Sequence, residues 1–264
     1  MKIKKILELL FNGIAGVFGY KALLKKRKDQ NIVMIDKNVW TPYFCPDDSF
    51  ANYYEGLAKS KVEWSDNFYK QLRHYSLQEV CRYVLRRGLS GDLAECGCWK
   101  GHSAYLIAKL FAEEGHVATD FHIFDSFEGG LSEKTRQDEN PRRKLDKQEL
   151  KTESAIFSST QEEVSLCLSK FKGIKLYPGW IPMRFGEVME KKFALVHIDV
   201  DLYEPTRDSL EFFFPRLVEG GAIVCDDYAM TQFPGSAIAV DEFLNKNQAT
   251  LFYRVPMGSC VIIK

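Results

Sequence analysis

From residue 91 onward the chain alternates short apolar runs with amphipathic ones. DLAEC (92–96), FHIFD (121–125), IKLYP (174–178), FALVHID (193–199) and GAIVCDD (221–227) are near-continuous apolar runs, and most close on a polar or acidic residue. Between and after them, Ser103–Ala112, Glu204–Leu217 and Gly235–Asn245 carry apolar residues at helical spacing. Strands apolar on both faces and separated by helices predict a parallel, doubly wound α/β sheet with helices on both faces. The C-terminus departs from this rhythm. LFYRVP (251–256) and SCVIIK (259–264) are separated only by Met257-Gly258. So short a connection permits only an antiparallel pair, so the mostly parallel sheet is expected to end in an antiparallel hairpin edge.

Upstream the pattern is less regular. Residues 62–88 predict a helix, with Phe68, Leu72, Tyr75, Leu77, Val80, Tyr83 and Val84 as its core stripe. Residues 31–60 mix aromatics with Pro42, Pro46 and Asp47-Asp48, and predict an irregular cover over the core or over a ligand cleft. The first 30 residues carry apolar positions at helical spacing (Ile3, Ile6, Leu7, Leu10, Ile14, Val17, Phe18) between basic ends. Glu8, Asn12 and Lys21 interrupt the apolar run that a membrane-spanning helix requires, and no small-x-small cleavage site follows it. The expected organisation is a basic amphipathic helix (1–30), a cover segment (31–88) and a catalytic-type α/β domain (89–264).

Charge adds one asymmetry. The chain is neutral overall, with 36 basic and 36 acidic residues, so no global attraction to nucleic acid is expected. Residues 1–30, however, hold eight Lys/Arg against Glu8 and Asp29. That imbalance suits peripheral contact of residues 1–28 with the anionic inner face of a membrane, or docking on a partner or a second copy of the chain. Seven cysteines, at 45, 81, 96, 98, 167, 225 and 260, show no framework spacing and predict free, buried thiols in a reducing, cytoplasmic setting. Cys96 and Cys98 have no second Cys/His pair at zinc-ligand spacing, so packing is their expected role.

The candidate chemistry lies at the strand ends. GDLAECGCWKGHS (91–103) predicts a strand, a glycine-bearing turn and a helix start, with Glu95, Gly97 and Gly101 forming E-x-G-x-x-x-G. That pattern is not the dinucleotide fingerprint. A carboxylate before a single tight glycine suits a ligand with a ribose and a positive charge but no pyrophosphate, such as S-adenosylmethionine. In an open parallel sheet, ligands bind at the carboxyl ends of the strands. Those ends carry Glu95, Asp125, Asp199 with Asp201, and Asp226 with Asp227. Carboxylates gathered from four strands repel one another unless something cationic intervenes. Asp125, after the second strand, suits a ribose diol. Asp199, Asp226 and Asp227 form an all-oxygen set for a hard divalent cation such as Mg²⁺, which would hold and acidify a substrate hydroxyl. His197 alternates inside a strand and is expected to be a satisfied core histidine. The charged stretch 130–160 lies beyond the second strand, where a lid or a solvated insertion is expected.

These residues carry a resemblance. LVHIDVDLYEPTRDSLEFFFPRLVEGGAIVCDDY (195–228), with LAECGCWKGHSA (93–104) and FDSFEGG (124–130), resembles the macrocin O-methyltransferase family of sugar-methylating enzymes, over roughly residues 70–245. The resemblance implies a Rossmann-like, S-adenosylmethionine-dependent methyltransferase fold. It implies cofactor contacts from Glu95, Gly97, Trp99, Lys100, Gly101, His102, Asp125 and Ser126, and a metal site of Asp199, Asp226 and Asp227. Asp199 is then the expected base, with Asp201 as its alternative; helix capping is the other role open to Asp201. Trp180, after Pro178-Gly179, is expected to border the pocket or to pack. Gly130 stands where the family continues with Leu-Pro, a departure that bears on the acceptor. The implied function is S-adenosylmethionine- and Mg²⁺-dependent O-methylation of a sugar, glycan or glycosylated natural product. The alternatives are a phenolic, catechol-like acceptor or a non-catalytic, membrane-associated scaffold.

Overall fold

The computed structural model describes residues 20–26, 31–37, 47–62, 68–113, 120–140, 156–229, 233–255 and 258–264. The chain divides into two compact units, Met1–Phe50 and Ala51–Lys264.

In the first unit, β1 (Tyr20–Lys26) and β2 (Asn31–Lys37) form an antiparallel pair running from Tyr20↔Lys37 to Lys26↔Asn31. This corrects two expectations. The basic helix over 1–30 does not extend across Tyr20–Lys26, and residues 31–37 are not irregular. Ile32, Val33 and Ile35 are β-branched residues that fit a strand. Residues 1–19, which carry most of the expected amphipathic helix, lie outside the described residues.

The second unit opens within α1 (Asp47–Ser60), part of the segment expected to be irregular, and continues with α2 (Phe68–Arg86). The expected boundary at 88/89 falls inside this unit, because Leu77, Cys81 and Val84 of α2 share one buried core with the sheet. The sheet comprises β3 (Asp92–Cys96), β4 (Phe121–Asp125), β5 (Ile174–Pro178), β6 (Phe193–Ile198), β7 (Leu217–Cys225), β8 (Leu251–Arg254) and β9 (Cys260–Ile263). Their order is β5-β4-β3-β6-β7-β9-β8. The pairs β3/β4, β3/β6, β4/β5 and β6/β7 are parallel, whereas β9 runs antiparallel to both β7 and β8. The hairpin edge is therefore present.

The remaining helices are α3 (His102–Glu113), α4 (Gln161–Leu168), α5 (Tyr203–Phe213) and α6 (Pro234–Lys246). One core cluster joins α2, α3 and α4 to the sheet, and a second joins α5 and α6 to it. All six residues of β6 are buried, which is why its sequence does not alternate. Helix α5 ends at Phe213, short of the expected Leu217. Pro215 cannot donate the next helical bond, so a 3₁₀ turn over Phe214–Arg216 leads into β7. Helix α4, absent from the expected elements, starts with a capping box: Glu163 N–H donates to Thr160 Oγ1 at 3.2 Å and Thr160 N–H to Glu163 Oε2 at 2.9 Å.

Helix α1 is fastened by Glu55. Its carboxylate accepts from the Tyr105 hydroxyl and the Lys109 ammonium on α3, and from Lys170 Nζ at 2.8 Å. The bonds from Lys109, Lys170 and Tyr105 hold the Glu55 carboxyl down at about 2. Cys81, Cys96, Cys98, Cys167, Cys225 and Cys260 are free and buried, and burial drives the thiols of Cys81, Cys96, Cys98 and Cys167 upward. They act as small apolar residues; Cys45 lies outside the described residues.

Candidate active site

The turn after β3 is tightly specified. Gly97 has φ +78°, and a Cβ there would lie 2.1 Å from the Asp199 carbonyl oxygen, so the β3 and β6 ends approach as only glycine allows. Trp99 also takes a positive φ, +45°. The Asp125 side chain at the end of β4 holds the turn open. Its Oδ2 accepts from Cys98 N–H at 2.8 Å and Trp99 N–H at 3.0 Å, and its Oδ1 from Phe127 N–H at 3.1 Å.

Around this turn lies a cleft of two lobes. The larger, about 260 Å³, is bordered by Tyr53, Arg73, His74, His102, His197, Asp226 and Asp227. The smaller, about 80 Å³, is bordered by Asp125, Ser126, Leu131, Trp180 and Ile181. Gly97, Trp99, Phe157, Asp199 and Asp201 border both. Asp199 therefore stands where the lobes meet, its backbone N–H fixed on the Cys96 carbonyl at 2.9 Å.

Of the acidic strand ends, Asp199, Asp201, Asp226 and Asp227 border the larger lobe, and Arg73 supplies the positive charge beside the last two. Arg73, on α2, donates through Nη2 to Asp226 Oδ2, to the Asp226 carbonyl at 3.3 Å and to Asp227 Oδ1 at 3.3 Å. Asp227 Oδ2 accepts from Asp201 N–H at 3.1 Å, and Asp226 Oδ1 from Ser259 Oγ at 2.9 Å. Burial, reinforced by the neighbouring Asp199 charge and opposed by Arg73, pushes the Asp227 carboxyl up to about 7. Asp201, whose N–H makes the bond to Asp227, has φ +59°.

His197 is buried, as expected, but only one side of its ring is satisfied. Nδ1 pairs with Glu95 Oε1 at 2.8 Å, while Nε2 has no hydrogen-bond partner among the described residues. Burial alone would lower this imidazole, but the Glu95 bond and charge overcome that, and its pKa stands above the ordinary value. Glu95 is sealed beneath the cleft and borders neither lobe. Lys100 and Gly101 also border neither: Lys100 Nζ lies 5.7 Å from the Trp99 ring centre, and the Gly101 Cα faces Cys167 and Val164. His102 borders the larger lobe, where its ring lies 4.0 Å from that of His74 and its Nε2 pairs with the Tyr53 carbonyl at 3.0 Å.

The residues present could hold a divalent cation: one ligand atom from each of His197, Asp199 and Asp226 lies within 4.8 Å of the other two. A second such group, Asp92, Asp120 and His122, lies at the opposite strand ends. It is already neutralised by Lys175 at 2.5 Å from Asp120 and Lys191 at 3.0 Å from Asp92. Of the stretch expected to form a lid, residues 141–155 lie outside the described residues.

Comparison with known proteins places the chain. The model of the macrocin-O-methyltransferase (TylF) family matches residues 66–256. A Streptomyces olivaceus protein, 8-demethyl-8-(2,3-dimethoxy-alpha-L-rhamnosyl)-tetracenomycin-C 4'-O-methyltransferase, is 30% identical over 159 residues, 59% of each chain. The demethyldecarbamoylnovobiocin O-methyltransferase of Streptomyces niveus is 24% identical over 203 residues, 74% of this chain and 75% of that one. Among solved structures, the O-methyltransferase NovP superposes with a TM-score of 0.63 at 22% identity, covering 80% of this chain and 88% of its own. The calicheamicin methyltransferase CalS11 gives 0.58 at 20% identity, covering 83% and 93%. These likenesses show the Rossmann-like methyltransferase fold.

Proposed function

The chain belongs to the macrocin-O-methyltransferase family, and from that premise we propose that it methylates a sugar hydroxyl on a glycosylated small molecule, using S-adenosylmethionine and a divalent cation such as Mg²⁺. One observation carries the reading: Asp199 borders both lobes, at the point where a donor in one would meet an acceptor in the other. In this reading the nucleoside of the cofactor occupies the smaller lobe, against Asp125 and Ser126. Asp125 Oδ2 accepts from both turn amides, whereas Oδ1 accepts from Phe127 N–H alone and keeps an acceptor site for a ribose hydroxyl. Gly97, Trp99 and His102 border the path of the methionine part, whereas Glu95, Lys100 and Gly101 support the turn from outside the cleft.

The acceptor hydroxyl lies in the larger lobe. Asp199 takes its proton as the C–S bond of the sulfonium breaks and the new C–O bond forms, and Asp201 is the alternative base. Asp199, Asp226 and Asp227 are the proposed cation ligands. A bound divalent cation supplies positive charge that favours the ionised acceptor and fixes its direction. The relatives named for a rhamnosyl 4'-oxygen and for mycinamicin III 3''-O-methylation support a sugar over a catechol. The basic stretch 1–28 is proposed as a peripheral contact with an anionic membrane face on charge alone; no helix among the described residues is long and apolar enough to cross a membrane.

The test is transfer of a labelled methyl group from S-adenosylmethionine to a panel of rhamnosylated glycosides and catechols, with Mg²⁺ or with EDTA. Transfer to glycosides that stops with EDTA is expected. Transfer only to catechols overturns the acceptor, and calorimetry showing no binding of S-adenosylhomocysteine overturns the enzyme reading.

A further inference from the structure

Asp138 borders neither lobe of the cleft, yet it is only 4% exposed and one of its partners lies 65 residues away. It closes the 3₁₀ turn Arg136–Asp138, in the described part of the charged stretch after β4. Its Oδ1 accepts from Tyr203 N–H at 2.7 Å, and its Oδ2 accepts from Thr135 N–H and from Thr135 Oγ1, each at 2.8 Å. Burying a carboxylate is costly unless donors surround it, and here three do. We propose that Asp138 is a positioning residue for methyl transfer. It locks the segment 131–138, part of the wall of the nucleoside lobe, onto the helix that follows Asp199 and Asp201. This rests on the reading above in which the cofactor nucleoside occupies the smaller lobe.

The segment reaches the cleft before it reaches its anchor. Leu131 and Ser132 border the smaller lobe together with Asp125 and Ser126. Further on, Lys134 Nζ lies 5.0 Å from the ring centre of Phe233, which borders the larger lobe. The anchor itself is the start of α5. Tyr203 is the first residue of that helix, and its N–H is one of the first-turn donors that a helix leaves unpaired. Leu202, at the cap position, makes no side-chain cap bond, so Asp138 supplies the missing acceptor from a distant part of the chain. Asp199 and Asp201 lie immediately before this helix, so one joint steadies both the lobe wall and the loop that carries the proposed base.

Gly235, in the first turn of α6, makes room for the carboxylate. A Cβ at that position would overlap Asp138 Oδ1 and lie 2.8 Å from Tyr203 N. The absent side chain seats Asp138 against the starts of both α5 and α6, where the helix dipoles favour negative charge. In this proposal Asp138 touches neither cofactor nor acceptor. It acts through Leu131 and Ser132 at one end of the segment and through the start of α5 at the other. A carboxylate that merely capped α5 would contribute stability alone, whereas a joint in the lobe wall also sets the affinity for the cofactor.

The experiment measures S-adenosylhomocysteine binding to the full chain by calorimetry, and amide hydrogen exchange across residues 131–138 with and without that ligand. Asp138→Asn turns an amide N–H toward a donor that the carboxylate had satisfied, and should weaken binding about tenfold. Thr135→Val, which removes one of the three donors, should weaken it about threefold, and Thr135→Ser, which keeps the hydroxyl, should leave it unchanged. The ligand should slow exchange across 131–138 in the unmodified protein and lose that effect in Asp138→Asn. An Asp138→Asn protein that melts lower but binds S-adenosylhomocysteine with unchanged affinity contains a helix cap and nothing more, which overturns the proposal. Weakened binding with unaltered exchange across 131–138 also overturns it. If Asp138→Asn does not fold, equal affinities for Thr135→Val and Thr135→Ser overturn it instead. No binding to the unmodified protein overturns the cofactor reading and the proposal with it, a distinguishable result.

Discussion

Asp199→Asn is expected to lower methyl transfer by about 10³-fold or more while changing the affinity for S-adenosylhomocysteine less than about tenfold. The asymmetry follows from position. Asp199 borders both lobes, and its backbone is pinned to β3 through the Cys96 carbonyl, so the side chain can be changed without moving the strand end. An amide cannot accept the acceptor's proton and is a poorer ligand for a divalent cation, so two contributions vanish together. A positioned base alone is worth about 10²–10⁴-fold. Single-turnover transfer from labelled S-adenosylmethionine separates the chemical step from binding. Asp201→Asn run alongside identifies the base: a large loss there with a small one at Asp199 exchanges their roles. A loss below tenfold in both removes the proposed base from this cluster.

The second large effect concerns Arg73→Met, which in metal-free protein should lower the melting temperature by about 4–8 °C. Arg73 is the cation that the carboxylates of Asp226 and Asp227 share, with the paired side chains 17%, 13% and 5% exposed. Breaking a fully buried pair at one end costs about 3–5 kcal/mol; with this much residual exposure roughly 2 kcal/mol is expected. Without Arg73, the Asp227 carboxyl, already pushed up to about 7 by burial and Asp199 and held down by Arg73, rises further, because a proton must now replace the guanidinium. Mn²⁺ should restore stability, and its affinity should rise about tenfold or more because a competing positive charge has gone. A variant melting at the wild-type temperature without metal would show that Arg73 is not the counter-charge. So would an unchanged Mn²⁺ affinity.

Much of this architecture is legible in the chain because burial on both faces leaves a plain signature. Phe193–Ile198 has no polar position to spare apart from His197, and that continuity marks a central parallel strand. The two-residue link before Ser259 leaves no alternative to an antiparallel pair. The acidic strand ends follow once the sheet is parallel, since all such ends share one edge. What was not legible lies where pairing crosses long stretches of chain or where local spacing misleads. Arg73 sits on a helix that reads as core packing, and its partners are 153 and 154 residues away. The Tyr20–Lys26 strand is set by its pairing with Asn31–Lys37, which spacing alone does not reveal. The α4 capping box, Thr160 with Glu163, is a local signal legible in the sequence just past the charged stretch 130–160.

His197 is the instructive intermediate case. Alternation within an apolar strand correctly placed it in the core, and one ring nitrogen is indeed satisfied there. Parity carries the rest: residues 197 and 199 project on the same side of a strand, and both border the larger lobe. A histidine two positions before a strand-end aspartate shares its direction, and Glu95 at the matching register completes the support.

The account turns on Asp199 as the meeting point of donor and acceptor, and a crystal structure with S-adenosylhomocysteine and Mn²⁺ tests that most directly. It should show the ribose hydroxyls on Asp125 in the smaller lobe, the sulfur directed at Asp199, and Mn²⁺ on Asp199 and Asp226 in the larger lobe. The account would be contradicted by S-adenosylhomocysteine bound away from Asp125, or by a sulfur facing away from Asp199.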